Sequence, residues 1–196
     1  MSNAMDESVE STKRQIRALV NEIAELSKSD CEPSEFYPAV LQRIVAALAA
    51  PGGAVWLMES GSLKLSYQMQ QQPAGLVEGS EDAKRHNRLL SQVLVQGKPE
   101  LIPPNSVFGD KEQLANPTEF LLVLAPLVAA AKQIGIIEIY QRADTQTEAQ
   151  RGYLRFIEHI AKLIADWLKG HAFTEVTTRQ QLWQQADEFA RLAHNS

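Results

Sequence analysis

The apolar residues of the N-terminal half recur three and four positions apart in three stretches, which is the spacing of amphipathic helices. The first stretch lies within residues 5–32, the second begins near Ser34 and stops at Pro51, and the third begins at Glu81 and stops at Gly97. Their apolar positions are, in chain order, Ile16, Leu19, Val20, Ile23 and Leu26; Val40, Leu41, Ile44, Val45 and Leu48; and Leu89, Leu90, Val93 and Leu94. Each stretch is therefore predicted to be a helix that buries one face.

Two apolar runs between the second and third helices predict a β-hairpin. The run "AVWLM" is followed, after a turn that begins near Glu59, by "LKLSYQM", in which apolar and polar residues alternate strictly. The alternation places Leu63, Leu65, Tyr67 and Met69 on one side. The second run is therefore predicted to be a half-buried strand beside a more central one.

A second hairpin is predicted from "FLLVLAPL" and "IGIIEIYQ", where Glu138 is the one charged residue in the apolar run. The connecting "VAAAKQ" contains no Gly, Asn or Asp, so the turn is predicted to be looser than a two-residue turn. Upstream, "PELIPP" predicts a short strand, because its prolines cannot donate to a ladder. Residues 105–117 predict a long polar loop around Gly109.

The C-terminal part predicts a long helix. Thr147 and Gln150 form a capping box, and Gly170 weakens the helix before Thr177 restarts it. The apolar positions before the break follow a four-three spacing and are Tyr153, Ile157, Ile160, Ile164 and Trp167. The same spacing continues over Leu182 to Ala193.

This order of elements predicts an α+β fold. Strands joined by short turns make a central antiparallel sheet of five to six strands, and the segregated helices cover both of its faces. The expected divisions are a cloning scar at residues 1–4, an N-terminal helix at 5–32, one folded domain at 33–170 and a C-terminal connector helix at 171–196.

Composition and charge exclude several classes of function. The net charge of -5 argues against a nucleic-acid partner, and no apolar run is long enough for direct membrane insertion. A single cysteine suits a reducing compartment, so a cytoplasmic location is expected. The chain shows no nucleophile–base pair, phosphate loop or metal-ligand cluster, and we therefore expect neither an enzyme nor a cofactor.

Four sequence segments resemble, in this order, the segments of a GAF domain: "AVWLMESGSLKLSYQM", "LLVLAPL", "IGIIEIYQ" and "TEAQRGYLRFIEHIAKLIADWL". The resemblance covers most of Glu35 to Lys169. GAF domains are small-molecule-sensing relatives of PAS domains, and the resemblance implies a sheet whose last strand lies centrally beside the first. It also implies helices on one face of that sheet and a ligand cavity on the other.

The resemblance also implies a site. Gly135, Ile137 and Ile139 would face the helix layer, while Ile136, Glu138 and Tyr140 would face the cavity. Glu138 would then favour a cationic or hydrogen-bond-donating ligand, because a carboxylate is tolerated there only with water, a ligand or a partner charge. The expected ligand-binding residues are Trp56, Glu138 and Tyr140 from the sheet and His86 and Phe108 from above.

Each of these residues also has a plainer interpretation. Trp56 could fill the core, His86 could be solvated or cap a helix, and Phe108 could pin its loop to the body. In a module without ligand, Glu138 would pair with Arg85 or Arg88.

Known ligands of the family do not fit this sequence. Gln141-Arg142 stands where cyclic-nucleotide-binding members carry Asn-Lys, which argues against a cyclic nucleotide. Cys31 precedes the resembling region and suits neither a sulfoxide-reducing nor a bilin-attaching cysteine, so it is expected to be replaceable.

The function expected from the resemblance is a regulatory sensor of an unidentified small molecule that signals through terminal helices to a neighbouring domain. A homodimer would bury Ile160, Ile164 and Trp167, or the stripe at 182–193. The alternative is a ligand-free module for dimerisation or spacing. The segment "RQQLWQQADEFARLAHNS" further resembles a connector in bacterial membrane-fusion-adaptor-type proteins, which would make this chain the N-terminal module of a larger one.

Overall fold

The fold is α+β, as the sequence predicts, and the residues that the structure describes form a five-stranded antiparallel sheet, a smaller two-stranded sheet and four helices. The computed structural model describes residues 2–69, 73, 76–143 and 149–171. The elements are α1 (Ser2–Leu26), α2 (Pro33–Leu48), β1 (Gly52–Glu59), β2 (Ser62–Met69), α3 (Glu81–Gln96), β3 (Glu100–Ile102), β4 (Ser106–Phe108), β5 (Lys111–Asn116), β6 (Leu121–Ala129) and β7 (Lys132–Gln141). Residues 149–171 are also helical and are called α4.

The main sheet has the strand order β2-β1-β7-β6-β3. The last strand, β7, therefore lies in the centre beside the first, as expected. Most of β6 and β7 is buried, because helices cover both faces of the sheet at this point. A strand buried on both faces needs apolar residues on both, which explains the near-continuous apolar runs in the sequence.

The two faces of β7 enter two separate cores. Ile137 and Ile139 pack with α2 and α4 in what is called the core under α2 and α4. Ile136 and Tyr140 pack with α3 in what is called the α3-side core. The face assignment implied by the family resemblance is confirmed for these four residues. In the first core the rings of Phe36 and Trp167 are stacked, with centroids 3.8 Å apart.

Two glycines allow β1 and β7 to approach closely. A Cβ atom on Gly135 would lie 2.3 Å from the carbonyl oxygen of Trp56, and one on Gly53 would lie 2.8 Å from that of Glu138. Both contacts involve backbone, which cannot move aside without breaking the ladder. The pairing of the central strands therefore depends on these glycines.

The strict alternation predicted for β2 is wrong. The register between β1 and β2 shifts, so that Val55 pairs with Tyr67 but Trp56 pairs with Leu65. This bulge at Ser66 reverses the face that follows it. Leu63 consequently packs with the α3-side core, whereas Tyr67 and Met69 pack with the core under α2 and α4.

The predicted polar loop at 105–117 is instead a two-stranded sheet of β4 and β5. The fully buried side chain of Asn116 holds it in place by donating hydrogen bonds to the carbonyl oxygens of Ile102, Pro103 and Phe120. Side-chain hydrogen bonding replaces the apolar alternation that normally marks a strand, so the sequence pattern did not reveal it.

The apolar stripe of α4 belongs to the chain's own core. Ile157, Ile160, Ile164 and Trp167 are at most 3% exposed and pack under the sheet. The prediction that Ile160, Ile164 and Trp167 form a dimer interface is therefore wrong for these residues. Three predictions lie outside the described residues: the second stripe at 182–193, the capping residue Thr147 and the connector helix beyond residue 171.

The turn between β6 and β7 is tight, not loose. Only Ala130 and Ala131 separate the strands, and both have positive φ angles, 50° and 61°. A two-residue hairpin turn with both residues left-handed matches the twist of the flanking strands, but an alanine there is strained.

Replacing the alanine pair with Ala130→Asn and Ala131→Gly should stabilise the protein by about 1 kcal/mol, because Asn and Gly tolerate positive φ. The free energy of unfolding in urea measures the effect. Ala130→Val serves as the opposite control and should destabilise, since β-branched residues strongly disfavour this region. Equal stabilities for all three proteins would contradict the left-handed turn.

Candidate functional site

A buried carboxylate lies at the centre of the α3-side core. Glu138 is 0% exposed and accepts hydrogen bonds from three side chains. Oε2 of Glu138 lies 2.9 Å from Nε1 of Trp56 and 3.3 Å from the hydroxyl oxygen of Tyr140. Oε1 lies 2.6 Å from Nε2 of His86. These four side chains are called the Glu138 cluster.

Three elements bring the Glu138 cluster together. Tyr140 follows Glu138 by two residues on β7, so both side chains leave the same face of the sheet. On β1, Ala54 faces Glu138 and Trp56 faces Ile136, which places the indole one step along the same face. His86 comes from the buried face of α3, which begins at the N-cap Ser80 and ends at the left-handed Gly97.

The charge of Glu138 determines the protonation of its neighbours. Burial by itself would lower the pKa of His86, but the charge and hydrogen bond of the Glu138 carboxylate raise it above its ordinary value. Burial and the same carboxylate raise the pKa of Tyr140. His86 therefore favours the imidazolium form and Tyr140 stays a neutral donor, so that every partner of the carboxylate donates a hydrogen bond to it.

A cavity of about 350 Å³ opens beside the Glu138 cluster, between the N-terminal half of α3 and the β1–β2 end of the sheet. Trp56, His86 and Tyr140 form part of its wall. Its other lining residues are Leu63, Lys64, Leu65 and Gln68 from β2, Leu76, Glu78 and Gly79 from the segment before α3, and Ala83 and Asn87 from α3.

The structure brings four of the five predicted site residues together and changes the role of one. Trp56, His86 and Tyr140 line the cavity. Glu138 lies behind them, so the expectation that it faces a ligand directly is wrong: its neighbours occupy the space between. Phe108 packs against the α3-side core but does not line the cavity.

Two plainer interpretations are also corrected. His86 is 1% exposed and paired with Glu138, so it is neither solvated nor a cap. Arg85 does not pair with Glu138, because its guanidinium donates to the carbonyl oxygen of Glu112 at 2.9 Å. Arg88 lies on the exposed face of α3. A buried histidine provides the charge partner that an arginine was expected to provide.

Sequence reasoning missed the contribution of β2 and the segment before α3. Strict alternation would place Lys64 and Gln68 on the side of β2 opposite Leu63 and Leu65, but both residues line the cavity. The bulge at Ser66 brings Gln68 to this face, and a bulge leaves no signal in an alternating sequence.

Cys31 lies on the other side of the sheet from the cavity. It joins α1 to α2, is half-buried, and packs against the core under α2 and α4. The hydroxyl of Ser29 donates to its sulfur at 3.1 Å.

In the part of the chain that the structure describes, no group of three or more His, Cys, Asp or Glu residues is arranged to hold a metal ion. Among these same residues, no helix has the length and apolar character required to cross a membrane.

The comparisons with known proteins agree with this architecture. The family model described as GAF domain matches residues 32–166, so the chain belongs to the GAF domain family. GAF domains generally act as regulatory sensor modules, and some bind small molecules. Among curated proteins, none matches this chain.

Three solved structures are similar in fold. The nlh2 GAF domain of A. aeolicus, in an inactive state, is 19% identical with a TM-score of 0.62, covering 81% of this chain and 98% of that one. The free methionine-R-sulfoxide reductase of Neisseria meningitidis, in complex with its substrate, is 11% identical with a TM-score of 0.59, over 81% and 91%. The protein JSC1_58120g3, in its far-red absorbing dark state with bound biliverdin IXa, is 8% identical with a TM-score of 0.57, covering 79% of this chain and 99% of that one. Because one of them is a reductase, the fold itself does not exclude enzymatic activity.

The resemblance of the C-terminal segment to a membrane-fusion-adaptor connector falls on residues outside those described. No comparison supports that context.

Removing one partner of the buried pair should be strongly destabilising. His86→Phe leaves the Glu138 carboxylate buried without its charge partner, and we expect the free energy of unfolding to fall by about 3–5 kcal/mol. The double variant with Glu138→Leu should lose less than the single variant, since no buried charge remains. His159→Phe, at an exposed site on α4, is the control and should stay within about 0.5 kcal/mol. Equal effects at the two histidines would contradict the pairing.

The same pair predicts a direction for the pH dependence. The pKa of His86 is raised in the folded protein from its ordinary value of 6.5, so the stabilisation from its protonation is complete below that pH. It is lost as the pH rises through the higher folded-state pKa. Unfolding free energies of wild type and of the His86→Phe/Glu138→Leu double variant, in which neither group titrates, should be measured between about pH 5 and 9, and the advantage of the wild type should fall as the pH rises. A difference that grows with pH would overturn this assignment.

Proposed function

We propose that this GAF domain is a regulatory sensor that binds a small molecule in the cavity between α3 and the sheet. The observation that carries the proposal is the cavity of about 350 Å³ beside the Glu138 cluster. Small-molecule sites are concave, combine apolar surface with a few polar groups, and have volumes of roughly 300–1,000 Å³. Trp56, Leu63 and Leu65 supply apolar surface, while Gln68 and Asn87 supply hydrogen-bonding groups.

The ligand contacts the wall of the cavity and not the acid behind it. Glu138 already accepts three internal hydrogen bonds, and the imidazolium of His86 offsets its charge at 2.6 Å. A preference for cationic ligands would require Glu138 to face the ligand. Because Glu138 lies behind the cavity wall, this preference does not follow.

The terminal helices are in position to transmit occupancy of the cavity. Trp56 on β1 lines the cavity, while its neighbour Val55 lies in the core under α2 and α4. From α4, Trp167 stacks on Phe36 and donates to the carbonyl oxygen of Ser29 at 3.2 Å. A shift of β1 on binding therefore reaches both α4 and the α1–α2 connection. Signalling to a neighbouring domain, homodimerisation and a cytoplasmic location stay predictions, and a dimer would have to use surfaces other than the buried stripe of α4.

The proposal assigns no catalysis to the chain. Its single cysteine, Cys31, lies across the sheet from the cavity. A cysteine-dependent reaction on a molecule in the cavity is therefore out of reach.

Filling the cavity should abolish binding. Ala83→Phe places a ring in the cavity from the first turn of α3 and should eliminate the thermal shifts found with a library of amino acids, nucleosides, amines, amides and carboxylic acids. A ligand present at 100 times its dissociation constant should stabilise the wild type by about 2.7 kcal/mol.

The matched control is Val95→Phe, which adds a ring to the exposed face of the same helix and should leave every shift unchanged. Hits that survive Ala83→Phe would show binding elsewhere. A library without hits would favour the second candidate function.

That second candidate is a ligand-free module for dimerisation or spacing. The observation in its favour is that internal donors satisfy the Glu138 carboxylate, so this acid needs no ligand.

A further inference from the structure

One hydrogen-bond donor in the wall of the cavity lacks a partner. Among the described residues, the side-chain nitrogen of Gln68 is the only buried side-chain nitrogen or oxygen without a hydrogen bond. A buried donor left unpaired costs about 1–3 kcal/mol, and native proteins normally satisfy such groups with protein, water or ligand. Glu138, whose partners Trp56, His86 and Tyr140 line the same cavity, has three hydrogen bonds, so the gap at Gln68 is not a general feature of this region.

Gln68 projects onto the side of the sheet where a ligand would lie. It faces Ala54 across the β1–β2 ladder, and the small alanine leaves room beside it. Trp56, Leu63 and Leu65 line the same cavity. The site therefore combines one buried, unpaired donor with a wall of mixed apolar and polar groups, and a polar contact at Gln68 can fix the orientation of a ligand.

The cavity offers no net charge to an ionic ligand. In its wall, His86 is paired with the carboxylate of Glu138. The two other charged lining residues, Lys64 and Glu78, are exposed and opposite in sign. An ion transferred from water to this site would lose hydration without gaining a dedicated counter-ion, which is unfavourable.

We propose that the cavity selects uncharged molecules that present a carbonyl or ring-nitrogen acceptor to the side-chain nitrogen of Gln68 and lay an apolar or aromatic part against Trp56 and Leu65. Neutral amides, lactams and heteroaromatic bases have this chemistry. The Gln68 nitrogen is buried against the protein, so binding requires a rotation of the Gln68 side chain that turns its amide towards the ligand. The inference rests on the proposed sensor function and specifies its ligand class.

Three probes of the same size separate charge from hydrogen bonding: benzamide, benzoate and benzylamine. Isothermal titration of the full chain should give a dissociation constant for benzamide at least about tenfold lower than for either ion, equivalent to 1.4 kcal/mol. Gln68→Leu should weaken benzamide binding about five- to tenfold, the effect of one neutral hydrogen bond.

Gln68→Glu gives a readout that misfolding cannot imitate. It replaces the donor with a negative acceptor and should invert the preference, so that benzylamine binds more tightly than benzamide. Gln133→Leu, at an exposed position of β7, is the matched control and should change none of the three affinities.

The outcomes distinguish this inference from the function on which it rests. Tighter binding of benzoate or benzylamine to the wild type, abolished by Ala83→Phe, overturns the ligand class and leaves the sensor function intact. Benzamide binding that Gln68→Leu does not change overturns the role of Gln68. Failure of all three probes also overturns the inference, whereas the sensor function fails only if the broad library gives no hits that Ala83→Phe removes.

Discussion

The architecture around the cavity depends on a carboxylate buried in the central strand. A charge in a protein interior is strongly unfavourable unless it is paired and hydrogen-bonded. Glu138 meets this requirement with donors from β1, β7 and α3, at distances of 2.6 to 3.3 Å. The pair with His86 therefore does more than satisfy two side chains: it joins α3 to the central strand β7 beside the cavity.

The position of β7 makes this arrangement possible. As the middle strand of five, it has one face under α3 and the other over α2 and α4. The tight contact with β1 at Gly53 and Gly135 keeps the two strands in fixed register. Trp56 on β1 and Glu138 on β7 therefore reach each other directly, and the same strands connect the cavity side to the terminal helices.

The internal pairing of Glu138 changes what a ligand would recognise. Relatives of the fold include a protein with bound biliverdin IXa and a reductase in complex with its substrate, at identities of 8% and 11%. In this chain the acid lies behind Trp56, His86 and Tyr140, and the cavity wall carries the side-chain amides of Gln68 and Asn87.

The sequence by itself determined the elements whose signal is local or periodic. The third helix, its glycine stop and the α+β class follow from residue spacing, because burial imposes that spacing on each element separately. The two faces of β7 follow from the family resemblance. Tertiary structure decided what depends on the register between elements. His86 became the partner of Glu138 because α3 lies over β7 at that height, and the bulge at Ser66 turned Gln68 towards the cavity. The alanine turn and the β4–β5 hairpin escaped prediction for a related reason: the flanking strands and the buried Asn116 stabilise conformations that their own residues do not favour.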